Sequence, residues 1–190
     1  TNMGTGALFS QCSSLKSRPD ISRFTIIPSS TFTGCKLLAF TAEELRHLTS
    51  IGGEAFSGCG DIEGDLVFTN LAYLGDRAFY CQTKITSVDF RDSPLQSVGG
   101  FTGCSALTNL TPFLPATVAK FTDAQPFYNC SSLTGDVKLS NPQITGALVS
   151  FYNTKITSLD MTGSAITSIG SWTLQGCTCI TNVVFSESMQ

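Results

Sequence analysis

Eight cysteines, one histidine and a short acidic run are the residues of this chain best equipped for chemistry. A cysteine or serine hydrolase would need His47 as its base, because neither nucleophile is strong at neutral pH without one. His47 sits between Arg46 and Leu48 with no nucleophile signature such as G-x-S-x-G nearby, and it reads as a surface-loop histidine. Asp61, Glu63 and Asp65 alternate in a Gly-flanked stretch. On a strand, alternation would bring all three to one face, where a hard cation could find oxygen ligands. The further ligands of an EF-hand loop are missing, so a solvated acidic face is the simpler reading. Nothing singles out a carboxylate pair for glycoside hydrolysis. Asn109-Leu-Thr111 and Asn129-Cys-Ser131 match the glycosylation sequon.

The cysteines themselves point away from chemistry. Six of them, Cys12, Cys35, Cys59, Cys104, Cys130 and Cys177, lie three residues after a Phe or Leu: Phe9, Phe32, Phe56, Phe101, Phe127 and Leu174. Looser copies begin at Phe79 and Phe151, which makes eight starts spaced 22 to 26 residues apart. A fixed period of this size is the mark of a solenoid, whose stacked coils share one core. The cysteines then form a ladder of small buried side chains rather than disulfides, since stacked positions have parallel Cβ vectors. They also do not converge as metal ligands must.

The best-formed coil runs from Ile85 to Cys104. Ile85, Val88 and Phe90 fit an LxxLxL strand, with Leu95 and Val98 turning inward after a bend. The skeleton returns as Ile156, Leu159 and Met161, followed by Ile166 and Ile169, and again as Ile180, Val183 and Phe185. Gly-Asp precedes the strand at Gly64-Asp65 and Gly135-Asp136. Two residues beyond each Phe or Leu, six of eight coils carry Gly or Asn (34, 58, 103, 129, 153 and 176). These residues tolerate positive φ best, so a short helical turn containing Ala-Phe is expected to end there and swing the Cys inward. Ala42–His47 is helix-compatible and lengthens the second coil. Pro112, Pro115 and Pro126 should make the fifth coil bulge, and Pro19 weakens the first.

Phe127-Tyr-Asn-Cys130-Ser-Ser-Leu133-Thr-Gly-Asp-Val137-Lys-Leu139, together with Ile-Gly-x-x-Ala-Phe before Phe56, resembles the BspA-like leucine-rich repeats. Those repeats occur on surface and secreted proteins of Bacteroides and related bacteria, of treponemes and of some parasitic protists. The resemblance implies a leucine-rich-repeat solenoid of about eight right-handed coils, with short parallel strands on one face and helical turns or loops on the other. One such domain would span 1–190 and belong to a longer array. The resemblance further implies location at the cell surface or secretion, a protein partner (host matrix or bacterial surface) and no catalytic residue.

Composition narrows the partners. The chain is 42% hydrophobic and only 13% charged, with net charge −3 and no basic cluster, which argues against a nucleic-acid partner. No cofactor is implied. No apolar run approaches the roughly 20 residues of a membrane span. Residues 1–8 show no leader pattern, which leaves secretion open. The outward strand positions offer two rows, Thr86, Thr108, Thr134, Thr157 and Thr181 in one and Asp89, Lys138 and Asp160 in the other, with Arg91 just beyond. They form either a binding face or a Thr ladder that supports the sheet. Tyr80, Tyr128 and Tyr152 follow their Phe on the turn side and, with Trp172, could hold a glycan or pack between coils. A plain spacer is the remaining alternative.

Overall fold

The computed structural model describes residues 1–111, 114–122, 125–148 and 151–189. Pro112, one of the three prolines expected to distort the fifth coil, lies outside them.

Each coil has three sides. The first carries the LxxLxL strands: β3 (Gly64–Val67), β5 (Ile85–Asp89) and β7 (Asn109–Thr111) form one parallel sheet, and β9 (Thr134–Lys138), β11 (Lys155–Asp160) and β13 (Asn182–Val184) form another. The second side, after the bend, is also stranded. It holds β1 (Ile26–Ile27), β2 (Ser50–Ile51), β4 (Tyr73–Leu74), β6 (Ser97–Val98) and β8 (Lys120–Phe121) in one sheet. The pair β10 (Thr145–Leu148) and β12 (Ala165–Ile169) forms a second. This second strand row was not expected. Val98, Ile166 and Ile169 read from the sequence only as side chains that follow the bend, yet their backbones pair from coil to coil. Among the described residues both rows break at the fifth coil, where a hydrogen bond from Thr134 N–H to Thr108 O (3.1 Å) bridges β7 and β9.

The third side is the corner around each Phe. It is a pair of tight turns rather than a helix: the residue two after the Phe or Leu takes positive φ in all eight coils, and the residue two before does so in five, at Ala7, Ser30, Glu54, Arg77 and Trp172. Glu54 (+55°) and Gly58 (+60°) bracket Phe56; Arg77 (+49°) and Cys81 (+57°) bracket Phe79. Alternating left-handed residues aim the N–H groups of positions −2, 0 and +2 along the solenoid axis. Thus Glu54, Phe56 and Gly34 donate to Asp76, Ala78 and Ser57 of the next coil at 2.8–2.9 Å. The corner is therefore a third hydrogen-bonded ladder, which satisfies backbone groups that a loop would leave to water. All six Gly and Asn positions expected to be left-handed are so, and Gln11 and Cys81 share the conformation. Pro126 fits at position −1 because the ladder asks for its carbonyl, which accepts from Phe101 N–H at 3.0 Å, and not for an N–H.

Inside, Phe9, Phe32, Phe56, Phe79, Phe101, Phe127 and Phe151 stack in one column with ring centroids 5.5–6.2 Å apart. Phe68 and Phe90 begin a second column at 6.0 Å. Leu45, Ile85, Val88 and Leu159 fill the space between the stranded sides and are fully buried or nearly so. At the last coil Val183 is half-buried, but Phe185, expected to point inward, is 57% exposed. The extra length of coil two folds into the one helix among the described residues, α1 (Ala42–Leu45). Thr41 and Glu44 close a capping box at its start. The helix packs against β3, the edge strand of its sheet, and so shields part of that edge.

Candidate functional site

The residues singled out for chemistry are occupied by the fold. His47 Nε2 lies 2.9 Å from Phe24 O, so the ring ties two coils together. The Lys84 ammonium sits between Glu63 (2.6 Å) and Asp61 (3.1 Å), which push its pKa up. Asp65 turns instead to hydroxyls, and among the described residues no three His, Cys, Asp or Glu side chains converge on a metal position.

All eight cysteines are free thiols. Five of the ladder members are buried, and burial pushes Cys59 and Cys130 up to about 12. A protonated buried thiol is a poor nucleophile but a serviceable donor. Four of these thiols donate to the Phe carbonyl one coil back: Cys35 to Phe9 O (2.9 Å), Cys104 to Phe79 O (3.2 Å), Cys130 to Phe101 O (2.9 Å) and Cys177 to Phe151 O (3.1 Å). Gln82 takes the ladder place in the fourth coil and donates to Phe56 O at 3.1 Å. The apolar-filler reading missed this donor role. Gln82 and Thr154, polar residues at a Cys position, were the available signal. Cys12, Cys81 and Cys179 are exposed.

On the LxxLxL face the structure resolves the Thr row into a repeated device. The pairing Gly64↔Ile85 followed by Asp65↔Ser87 leaves Thr86 as a bulged extra residue. Its hydroxyl (2.8 Å) and that of Ser87 (2.6 Å) both donate to Asp65 Oδ1. Three coils later Thr157 (2.8 Å) and Ser158 (2.7 Å) do the same to Asp136 across an identical shift. The hydroxyls, Ser87 and Ser158 ahead of the threonines, hold both carboxyls below the usual range. Thr108 and Thr181 donate to the carbonyls of Thr86 (2.9 Å) and Thr157 (3.2 Å). Thr134 is exposed. Four of the five threonines thus support the sheet.

Lys138 pairs directly with Asp160, while Asp89 pairs with Val67 and Thr111 in the other sheet. Asp89 is gripped by Arg91 (Nε 2.9 Å, Nη2 2.5 Å), which lowers its pKa. Asp160 accepts from the hydroxyl and N–H of Thr162 (2.6 and 2.9 Å), closing the turn after β11. Arg91 and Lys138 are exposed.

The aromatic candidates are on the corner side and do not form one patch. Tyr128 and Tyr152 stack at 4.6 Å with planes 9° apart, both half-buried. Tyr80 is 39% exposed, with the Arg77 guanidinium 5.8 Å from its ring centroid. Trp172 is 63% exposed on a left-handed backbone (φ +65°) in the last coil.

Repeat, corner and double strand row come together in the comparison with known families. The BspA type leucine rich repeat region, in six copies, matches residues 5–99 and 97–190. The chain belongs to that family. The leucine-rich-repeat fold is further supported by the crystal structure of a leucine-rich repeat protein from Bacteroides ovatus, to which this chain is similar with a TM-score of 0.50 and 20% identity. The match covers 94% of this chain and 57% of the Bacteroides protein, so the chain spans a little over half of that relative's length. No curated protein matches the sequence. BspA-type repeats form protein-interaction modules and are typically not enzymes. No helix among the described residues is long and apolar enough to cross a membrane.

Proposed function

We propose that the chain is a non-enzymatic interaction module of a cell-surface or secreted protein, and that it binds a host or bacterial protein through its LxxLxL strand face. The observation that carries this reading is the fixed polar face. Asp65, Asp136, Asp89 and Asp160 are each held by short hydrogen bonds from the backbone or neighbouring side chains, while Arg91, Thr134 and Lys138 stand exposed among them. A surface ordered before the encounter loses little side-chain entropy on binding, and solenoids offer such faces at useful length. The hold of Phe24 O on the His47 ring, and the high pKa of the buried thiols, support a role without catalysis.

The test is capture from host matrix and bacterial envelope extracts by the wild-type chain and by the Arg91→Glu/Lys138→Glu variant. A partner retained by wild type and lost by the variant is the expected result. No partner, or one indifferent to both substitutions, would count against the strand face. A second reading, a neutral glycan held on the corner side, is favoured by the exposure of Tyr80 and Trp172.

A further inference from the structure

Two depressions, of about 540 and 630 Å³, lie where the corner of the early coils leads into the LxxLxL face. Glu63 and Lys84 line both, so the two form one groove that crosses from coil two to coil five. Its floor has a reason in the sequence. Four residues after the Phe, coils two, three and four carry Lys36, Gly60 and Thr83. Gly60 must be bare, because an added Cβ would lie 2.9 Å from the carbonyl carbon and oxygen of Leu38. The extra length of coil two then contributes Ala39 and Thr41 to the lining, just before α1.

Charge along the groove is uneven. Lys36 is exposed and has no ion-pair partner among the described residues. Arg18, in the same lining, is occupied by Glu44 at 2.7 Å. Farther along, Asp61 (3.1 Å) and Glu63 (2.6 Å) share the single Lys84 ammonium, which leaves one negative charge in excess. Beside Lys36, and one coil before Asp61, stands Leu37, which is 53% exposed. An unpaired cation, an apolar patch and an excess anion thus follow one another from coil two to coil four.

We propose that this groove binds an extended peptide segment of a partner protein, in which an apolar side chain lies between an acidic residue and a basic one. The proposal rests on the protein-binding reading and adds a docking site at the start of the face. The acidic residue meets Lys36, the apolar one covers Leu37 and Ala39, and the basic one joins Asp61 and Glu63. Shape favours a chain over a small molecule. Small-ligand sites are concave and bury most of their guest, whereas both depressions are open to solvent along their length. Charge pairs in so open a groove set register and specificity more than affinity.

The test is panning of a phage-displayed library of random dodecapeptides on the whole chain, followed by fluorescence anisotropy with the enriched peptides. Those peptides should carry an acidic and a basic residue on either side of an apolar one, and bind with a Kd of about 100 μM or tighter. Leu37→Ser and Lys36→Glu, both at exposed positions, should each weaken binding about fivefold without moving the thermal midpoint. A second round of panning on Lys36→Glu should select peptides with a basic residue in place of the acidic one. No enrichment, or enrichment without the pattern, overturns the groove and leaves the strand face to its own capture test. Peptides indifferent to Leu37→Ser and Lys36→Glu but lost on Arg91→Glu/Lys138→Glu overturn the groove and support the strand face. Groove-dependent peptides, with no protein captured from either extract, support the groove and count against the strand face.

Discussion

The corner side and the LxxLxL face of this solenoid are built to different standards. At the corner, every coil repeats one conformation: left-handed residues from Gln11 to Gly176 at the same place, and N–H groups aimed at the next coil. On the strand face paired positions hold Val67, Asp89 and Thr111 in one sheet and Lys138, Asp160 and Val184 in the other. The corner is constrained by φ, by a column of stacked rings and by a buried thiol ladder. The face is constrained only by alternation, so its outward positions are free to differ. What repeats is the frame, and what varies is available for recognition.

The sharpest way to break the frame is through the aromatic column. Phe79 is fully buried and stacked on Phe56 and Phe101 at 5.5 and 5.6 Å. Phe79→Ala should cost about 3–5 kcal/mol, seen as a lower midpoint in urea. A loss below about 1 kcal/mol would mean the column closes over the gap and is not a rigid stack. Next in size is the backbone. Gly58 has φ +60°, and an added Cβ would meet nothing nearer than Gly34 atoms at 3.9 Å. Gly58→Val should therefore cost about 1–2 kcal/mol from conformation alone, while Gly58→Asn should cost little. Equal losses from the two would show that space, not φ, sets the corner.

That contrast also explains what could be read from the sequence. The αL positions were legible because only Gly and Asn fill them in six coils, and the Phe and Cys columns because their types repeat. The left-handed residues before the Phe were not, since Ala7, Ser30, Glu54, Arg77 and Trp172 share no side-chain signature. The second strand row is only two residues long in most coils, too short to show alternation. On the face, Thr86 and Thr157 looked like ordinary ladder members because the Gly-Asp that bulges them belongs to the preceding coil. Carboxylate and hydroxyl are about 21 residues apart in sequence and meet only when the coils stack.

A smaller effect tests what the thiol ladder is for. Cys130 is fully buried and donates to Phe101 O, which also accepts from Cys104 N–H at 3.0 Å. If the ladder is a row of donors, Cys130→Ser should be tolerated better than Cys130→Ala, with a difference of about 0.5–1.5 kcal/mol in thermal or urea unfolding. If it is apolar filler, burying a hydroxyl should make Ser the worse of the two. Gln82 and Thr154 at the same place in other coils favour the donor.

The smallest expected effect belongs to the face. Asp65 and Asp136 are held below their ordinary value of 3.8 by hydroxyl donors that an unfolded chain does not supply. A carboxyl with a depressed folded pKa adds stability above the unfolded value and loses it as pH falls through the folded one. Both groups are exposed, so solvent screening keeps the contribution small. The thermal midpoint of the wild type should hold above pH 3.8 and then fall with acid more steeply than that of an Asp65→Asn/Asp136→Asn variant, whose amides still accept the same hydroxyls but do not titrate. Parallel acid profiles for the two proteins would mean the carboxylates add nothing to the frame. The Thr-Ser-Asp devices would then be free, like the rest of the face, to turn toward a partner.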